Sequence, residues 1–403
     1  MKIVFVHQNC PGQFRHLAPH LARDPANEVL FITQKGKPDI PGVRKLEYAP
    51  HRTVTTGIHP YLATTEGAVL NGQAVARLGF ALADKGFRPD VIIGNPGWGE
   101  TLFLKDVWPD VPLITLVEFF YRGRGSDVGF DTEFDGGRDS VLRARARSAP
   151  HLLAIEAADA AYAPTEWQKA QFPAAHRPKI RVIHDGIDTD RLVPDPAARF
   201  LVPGGPELSK ADEVLTYVSR NLEPYRGFHS FMRALPRVLA ERPQAHVVIV
   251  GGDEVSYGGR APDGKTWREV LLDEVGPLPE RVHFTGRIPY SDYVRLLQVS
   301  SVHLYLTYPF VLSWSMLEAM SAGAFVIGSA TPPVEEVIED GRNGWLVDFF
   351  DTEAMAARIS DGLARRGDMD ALRVAARETV LSRYRLSDCL EAQIALIREI
   401  AGQ

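Results

Sequence analysis

Short runs rich in β-branched residues alternate with longer stretches of helical periodicity along the whole chain. This alternation constrains the fold more than any other feature, because it argues for parallel α/β architecture. In the first half, KIVFV (2–6), EVLFIT (28–33), DVIIG (90–94), PLITLV (112–117) and AAYAPT (160–165) read as strands. In the second, VLTYVS (214–219), HVVIVG (246–251), RVHFTG (281–286), VHLYL (302–306) and AFVIGS (324–329) do the same. No short-period repeat is present.

The two sets are separated by IHDGIDTDRLVPDPAARFLVPGGPELSKADE, rich in Pro, Gly and Asp, which places a domain boundary near residue 185. The expected layout is a Rossmann-like domain over 1–184 and a second over 185–385. An amphipathic helix over 386–403 is expected to pack back on the first. Two doubly wound sheets joined in this way leave a cleft at the carboxyl ends of their strands, where ligands of such sheets bind.

Composition narrows the class. A chain of 403 residues, 45% hydrophobic and 24% charged, has the core of an ordinary globular protein. A net charge of −6 gives no reason to expect a nucleic-acid partner. Cys10 and Cys389 stand at opposite ends, so a disulfide is not expected and a reducing cytoplasm suits the chain. MKIVFVHQN carries too short an apolar run for a secretory leader and reads as a buried first strand. No run approaches a membrane span, which leaves peripheral contact with the inner membrane face open.

A nicotinamide dehydrogenase is excluded. The turn after the first strand, HQNCPGQFRH, lacks G-x-G-x-x-G, and FITQKGK ends the second strand without the acidic residue that would hold a ribose.

One ordered set of segments carries a resemblance. SRNLEPYRGFHSFMRAL, VVIVGG, VHFTGRIPY and WSMLEAMSAGAFVIGSATPPVEEVIEDGRNGWLVD together look like the donor domain of family 4 glycosyltransferases. APTEWQKAQFP and VIHDGIDTDRLVP match that family's layout as well. The likeness is strongest over about 160–350 and looser before. It implies a GT-B fold, with an N-terminal acceptor domain and a C-terminal nucleotide-sugar donor domain.

The chemistry of such transfer explains the residue types. Expelling a nucleoside diphosphate puts negative charge on the leaving oxygen, which cations and helix N-termini stabilise without a metal. Arg220 and Arg226 stand where the family carries an Arg and a Lys for this task, and Arg226 keeps the charge. Two solvated surface arginines are the plain alternative. Ser313, Trp314 and Ser315 open a helix that presents free N–H groups to phosphates or sugar, although the serines also suit simple N-caps. Glu318 matches the second Glu of the family's Glu-x7-Glu motif, which the resemblance implies accepts hydrogen bonds from the ribose hydroxyls. Phe310 stands in place of the first, so the nucleotide half of the site matches the family and the sugar half departs from it. Gly286, Arg287 and Ile288 form a loop expected against the base. Asp188 and Asp190 give a D-x-D spacing within a segment typical of metal-independent relatives, where they cap or brace. No metal and no cofactor is expected; the nucleotide-diphosphate sugar is a co-substrate.

The acceptor half is expected in loops after first-domain strands. His7 and Gln13 follow the first strand, and Gly12 would let the backbone approach the donor. Trp98, in GNPGWGE, is either a sugar-stacking platform or a core anchor. Glu118, in VEFFYRGRG, either orients or deprotonates the acceptor hydroxyl, or forms an ion pair with Arg122 or Arg124. Arg143, Arg145 and Arg147 form a basic patch suited to a membrane surface, to a phosphate-bearing acceptor, or to a solvated face balanced by Glu156 and Asp159.

The reading is a cytoplasmic, metal-independent, retaining glycosyltransferase of bacterial glycan, glycolipid or glycosylated-metabolite assembly. It uses a nucleotide-diphosphate sugar and a hydroxyl acceptor. A nucleotide-sugar epimerase on the same architecture would need acid/base carboxylates flanking the sugar, which Phe310 argues against. A non-catalytic nucleotide-sugar binder is the other alternative, motivated by the same residue.

Overall fold

The computed structural model describes residues 1–134 and 136–402, and the chain in it divides into two compact units. Met1–Gly186 and the segment from Ser387 onward form the first; Ile187–Leu386 form the second.

The first unit is built on seven parallel strands. In chain order they are β1 (Lys2–Val6), β2 (Glu28–Gln34), β3 (Arg44–Tyr48), β4 (Val91–Gly94), β5 (Leu113–Leu116), β6 (Ala160–Ala163) and β7 (Ile180–Val182). Their spatial order is β3-β2-β1-β4-β5-β6-β7. In the centre, Val4 pairs with Leu30 on one side and Ile92 on the other, and Ile3 to Val6 are fully buried. Covering both faces of a parallel sheet with helices explains why these strands read as unbroken apolar runs. β1, β4 and β5 are neighbours, so the loops leaving their carboxyl ends emerge side by side. These loops carry His7 to Gln13, Asn95 to Trp98, and Glu118.

The helix Leu386–Ile400 belongs to this unit and buries Cys389, Leu390, Leu396 and Ile397. Gln393 donates to the His184 carbonyl at 3.0 Å, and Arg181 pairs with Glu399, which ties the helix to the chain around β7.

The second unit holds an antiparallel hairpin of β8 (Arg199–Leu201) and β9 (Glu207–Ser209), followed by a six-stranded parallel sheet. Its strands are β10 (Val214–Asn221), β11 (His246–Gly252), β12 (Val282–Gly286), β13 (Val302–Tyr305), β14 (Val326–Ser329) and β15 (Trp345–Val347), in the order β12-β11-β10-β13-β14-β15. Both sheets are therefore doubly wound. β10 and β13 lie together, which sets the turn after β10 beside the loop after β13.

Strands β3, β7 and β15 were not among the expected ones, and each lies at the edge of its sheet. RKLEY and IRV carry charged residues that an edge leaves solvated, so no apolar run marks them. Among the described residues no helix is long and apolar enough to cross a membrane.

Candidate functional site

In the second unit the turn after β10 is a short 3₁₀ helix, Pro224–Arg226, which meets the helix Phe228–Glu241 at Gly227. Gly227 has φ of 69°, and a Cβ there would meet Leu306 Cβ at 2.4 Å, so both conformation and space demand glycine. Of the two arginines singled out, Arg220 is exposed and Arg226 is buried. Arg226 Nη1 donates to Thr307 Oγ1 at 2.8 Å, to the Val311 carbonyl at 3.1 Å and to the Tyr305 hydroxyl at 3.3 Å. Its guanidinium lies 5.1 Å from the Tyr257 ring and 5.8 Å from the Phe310 ring. A buried cation held by neutral groups and π faces keeps its charge available to an anion that reaches it.

The Tyr305 hydroxyl also accepts the Ser313 amide at 2.8 Å. One hydroxyl thus bridges Arg226 and the N-cap residue of the next helix. That helix, Trp314–Ser321, is capped by Ser313, whose side chain accepts from the Ser315 amide. Glu318 lies on it, buried, with Oε1 accepting from Tyr290 at 3.0 Å and Oε2 from Tyr293 at 2.8 Å. A carboxylate in an apolar helix would be costly to bury unpaired, and these two phenols satisfy it. Both come from one helix, Tyr290–Val299, at the spacing of one turn.

Phe310 is buried edge-on to Tyr225, with centroids 5.3 Å apart, and 5.1 Å from Tyr257. Tyr308 stacks obliquely on Tyr225 at 4.6 Å. An acidic side chain at position 310 would sit among these rings without a hydrogen-bond partner among them other than a tyrosine hydroxyl. Gly286 adopts φ of 65° with open space where a Cβ would lie. Arg287 reaches Asn221 Oδ1 at 3.0 Å and pairs with Glu254, while Ile288 packs on the hydrophobic core. Asp188 Oδ1 accepts the Arg191 amide at 3.1 Å, a bracing contact within its own turn.

Glu223 escaped the sequence reading. It is fully buried, and its carboxylate accepts from the backbone amides of Ser256, Tyr257 and Gly258 at 3.0 to 3.3 Å. This nest pins the loop after β11 and holds Tyr257 over Arg226. The only signal in the sequence was its place three residues before Arg226.

In the first unit the residues expected on the acceptor side form one hydrogen-bonded chain. The Asn9 amide donates to His7 Nδ1 at 2.8 Å, which leaves the proton on Nε2. Nε2 then donates to Gln13 Oε1 at 2.6 Å, Gln13 Nε2 to Glu118 Oε1 at 2.6 Å, and Asn95 Nδ2 to Glu118 Oε2 at 2.8 Å. Burial lowers the His7 pKa to about 4, so the ring is neutral at neutral pH. Glu118 is held by amides, and neither Arg122 nor Arg124 pairs with it. Asn95 was missed although it stands in a quoted segment.

Gly12 lies against His7: a Cβ at Gly12 would meet the imidazole at 2.7 Å. Its φ of 53° adds a second reason for glycine there. Trp98 is 37% exposed, with its ring 5.3 Å from that of His7.

The comparisons with known proteins agree with this layout. Residues 25–192 match the family model described as glycosyl transferase family 4 group, and residues 205–379 match glycosyl transferases group 1. Sucrose-phosphate synthase from Thermosynechococcus elongatus superposes with a TM-score of 0.71 at 18% identity, covering 99% of each chain. HepE of Anabaena, in complex with UDP-glucose, gives 0.69 at 15% identity, covering 99% of this chain and 100% of that one. A GDP-mannose-dependent alpha-(1-6)-phosphatidylinositol monomannoside mannosyltransferase of Mycolicibacterium smegmatis is 26% identical over 237 residues, 55% of this chain. That match spans 57% of the relative's length.

These likenesses and the two doubly wound sheets define a GT-B protein. Both units match glycosyltransferase family models, the first that of the family 4 group, so the chain is a glycosyltransferase by family.

Proposed function

We propose that the protein is a retaining glycosyltransferase that moves a sugar from a nucleoside-diphosphate donor to an acceptor hydroxyl without a metal ion. The observation that carries this reading is the Tyr305 hydroxyl, which holds the buried Arg226 guanidinium beside the N-terminus of the helix Trp314–Ser321. Two positive centres fixed at one end of the sheet suit a leaving diphosphate. Arg220, exposed on the same strand end, adds a third charge. Glu318, one turn inside the helix, is the candidate for the ribose hydroxyls, with Gly286 and Ile288 on the loop toward the base.

In the reaction the bond from the anomeric carbon to the diphosphate oxygen breaks and a bond to the acceptor oxygen forms. The acceptor proton passes to the departing diphosphate, and Glu118, fixed by Gln13 and Asn95, orients the hydroxyl. His7 and Gln13 hold that carboxylate in place, and Trp98 offers a face for the acceptor. Retention of configuration rests on the family, as does placement in glycan, glycolipid or glycosylated-metabolite assembly. A cytoplasmic enzyme, peripheral to a membrane, fits the same reading.

A screen of nucleoside diphosphates and their sugars by thermal unfolding tests donor binding, since a ligand of the native state raises its apparent stability. Release of nucleoside diphosphate in the presence of hydroxyl acceptors then tests transfer. The second reading, a non-catalytic binder, is favoured by Phe310 filling the ring cluster around Arg226. Binding with no release from any donor would select it.

A further inference from the structure

A hollow of about 430 Å³ opens in the first unit between the segment that follows β5 and the helices Gly137–Arg147 and Ala149–Ala157. Arg122 and Arg124 reach it from the segment and Arg145 from the first of those helices, while Phe120, Leu152 and Pro173 supply apolar lining. All three arginines are exposed, and none forms an ion pair with a described residue.

The setting is built rather than incidental. Ser148 Oγ donates to the Tyr121 carbonyl at 2.5 Å, and the Arg147 guanidinium lies 3.8 Å over the Tyr121 ring. Between the two loop arginines, a Cβ at Gly123 would meet Val141 Cγ1 at 2.5 Å, so the backbone is pressed onto the helix. These contacts fix the separation of Arg145 from the loop pair. Of the two acids expected to balance a solvated basic face, Asp159 is paired with Lys105 at 3.0 Å and accepts the Leu113 amide, and among the described residues Glu156 forms no ion pair with these arginines. Three like charges held around one concavity repel each other until an anion enters.

We propose that this hollow binds an anionic group, phosphate or carboxylate, carried by the acceptor, so that Arg122, Arg124 and Arg145 determine acceptor specificity. The inference rests on the transfer reading above for the word acceptor. Arg122 stands four residues after Glu118, a span of at most about 14 Å along the chain. The proposal requires one acceptor long enough to reach from the Glu118 carboxylate to the arginines, such as a phosphorylated polyol. Guanidinium forks suit phosphate oxygens, and the apolar lining suits the carbon skeleton beside them. The anion is either a soluble phosphate ester or a lipid headgroup, and the two share this chemistry.

The test compares the full chain with an Arg124→Ala/Arg145→Ala variant and an Arg124→Lys/Arg145→Lys control, with nucleoside diphosphate saturating the second unit. Inorganic phosphate is titrated against thermal unfolding, and sedimentation is measured with phosphatidylinositol-containing or pure phosphatidylcholine vesicles. Transfer to one polyol is compared with transfer to its phosphate ester. The expected result is a preference for the ester of roughly tenfold or more in kcat/KM, abolished in the alanine variant and partly kept with lysine.

Phosphate stabilisation lost in the alanine variant identifies a soluble anion. Loss confined to phosphatidylinositol vesicles identifies a headgroup. Equal responses of wild type and alanine variant in every arm overturn the proposal. Nucleoside diphosphate stabilisation, governed by the second unit, must persist in all variants and shows that they fold. Its absence from the wild type counts against the transfer reading and leaves the anion site to the phosphate and vesicle arms.

Discussion

The side-chain amide of Gln13 donates a 2.6 Å hydrogen bond to the Glu118 carboxylate, and its oxygen accepts one of 2.6 Å from His7. One amide thereby orients the acceptor-side carboxylate and fixes the histidine tautomer. Replacing Gln13 with Ala leaves both partners short of a hydrogen bond, at a cost of about 1–3 kcal/mol in stability by denaturant unfolding. Transfer at saturating donor is expected to fall, with nucleotide affinity unchanged. Unaltered kcat in a folded Gln13→Ala protein would remove the chain from the mechanism.

Glu318→Ala tests the nucleotide end. Its carboxylate is positioned by Tyr290 and Tyr293, so the substitution removes a preset charged acceptor. Calorimetry with nucleoside diphosphate is expected to show a loss of about 1.5–3 kcal/mol, the range for hydrogen bonds to a charged group. Tyr293→Phe should weaken binding less, because it frees the carboxylate without deleting it. Full affinity in Glu318→Ala would place the ribose elsewhere.

Arg226 is expected to act on the leaving group more than on the ground state. Arg226→Ala should raise the barrier to turnover by about 2.7–4 kcal/mol, the range for one preorganised electrostatic contact, while donor binding changes less. Lysine keeps the charge but not the planar guanidinium whose Nη1 is seated against Tyr305, Thr307 and Val311, so it should recover part of the rate. Single-turnover kinetics at saturating donor separates the two steps.

Charge at the diphosphate supplied by Arg220, Arg226 and a helix N-terminus predicts indifference to divalent ions. Activity should survive excess chelator and change little on adding magnesium or manganese. Abolition by chelator with recovery on one divalent ion would overturn the metal-free reading and return attention to Asp188 and Asp190.

Acid should destabilise the protein. Burial lowers His7, His151 and His184 to about 4 and His303 to about 3, below the ordinary 6.5. Between those values and 6.5 the unfolded chain binds more protons than the native one, so stability falls as pH drops through that window. Glu100 works in the opposite sense: burial raises it to about 7, and its contribution is lost as pH rises from about 4.5 to 7. Four histidines outweigh one glutamate, so urea midpoints are expected to fall from pH 7 to pH 4.5. A flat profile would contradict the buried neutral histidines.

The sequence by itself determined the class of fold, because a strand buried on both faces must be an apolar run and a crossover must be a helix. KIVFV and HVVIVG could be placed on those grounds alone, whereas RKLEY and IRV could not, since charged side chains break up their apolar runs, and WLV is only three residues long. The residue types of the candidate site were also legible: His7, Gln13, Glu118, Arg226, Ser313 and Glu318 all stand in loops or helix starts after strand ends. What each of them touches was decided only by the tertiary structure. Strand order sets β1, β4 and β5 side by side, and that adjacency makes Asn95, Gln13 and Glu118 partners across as many as 105 residues of chain. The same holds for Glu318 and its two tyrosines, for Glu223 and the amides that it gathers, and for Arg226, legible as a cation but not as one buried among rings. Hydrophobic patterning is local and repeats at the period of each element, so a linear reading recovers it. Hydrogen-bond partnership depends on which strand ends meet, and that order arises only when the sheet forms.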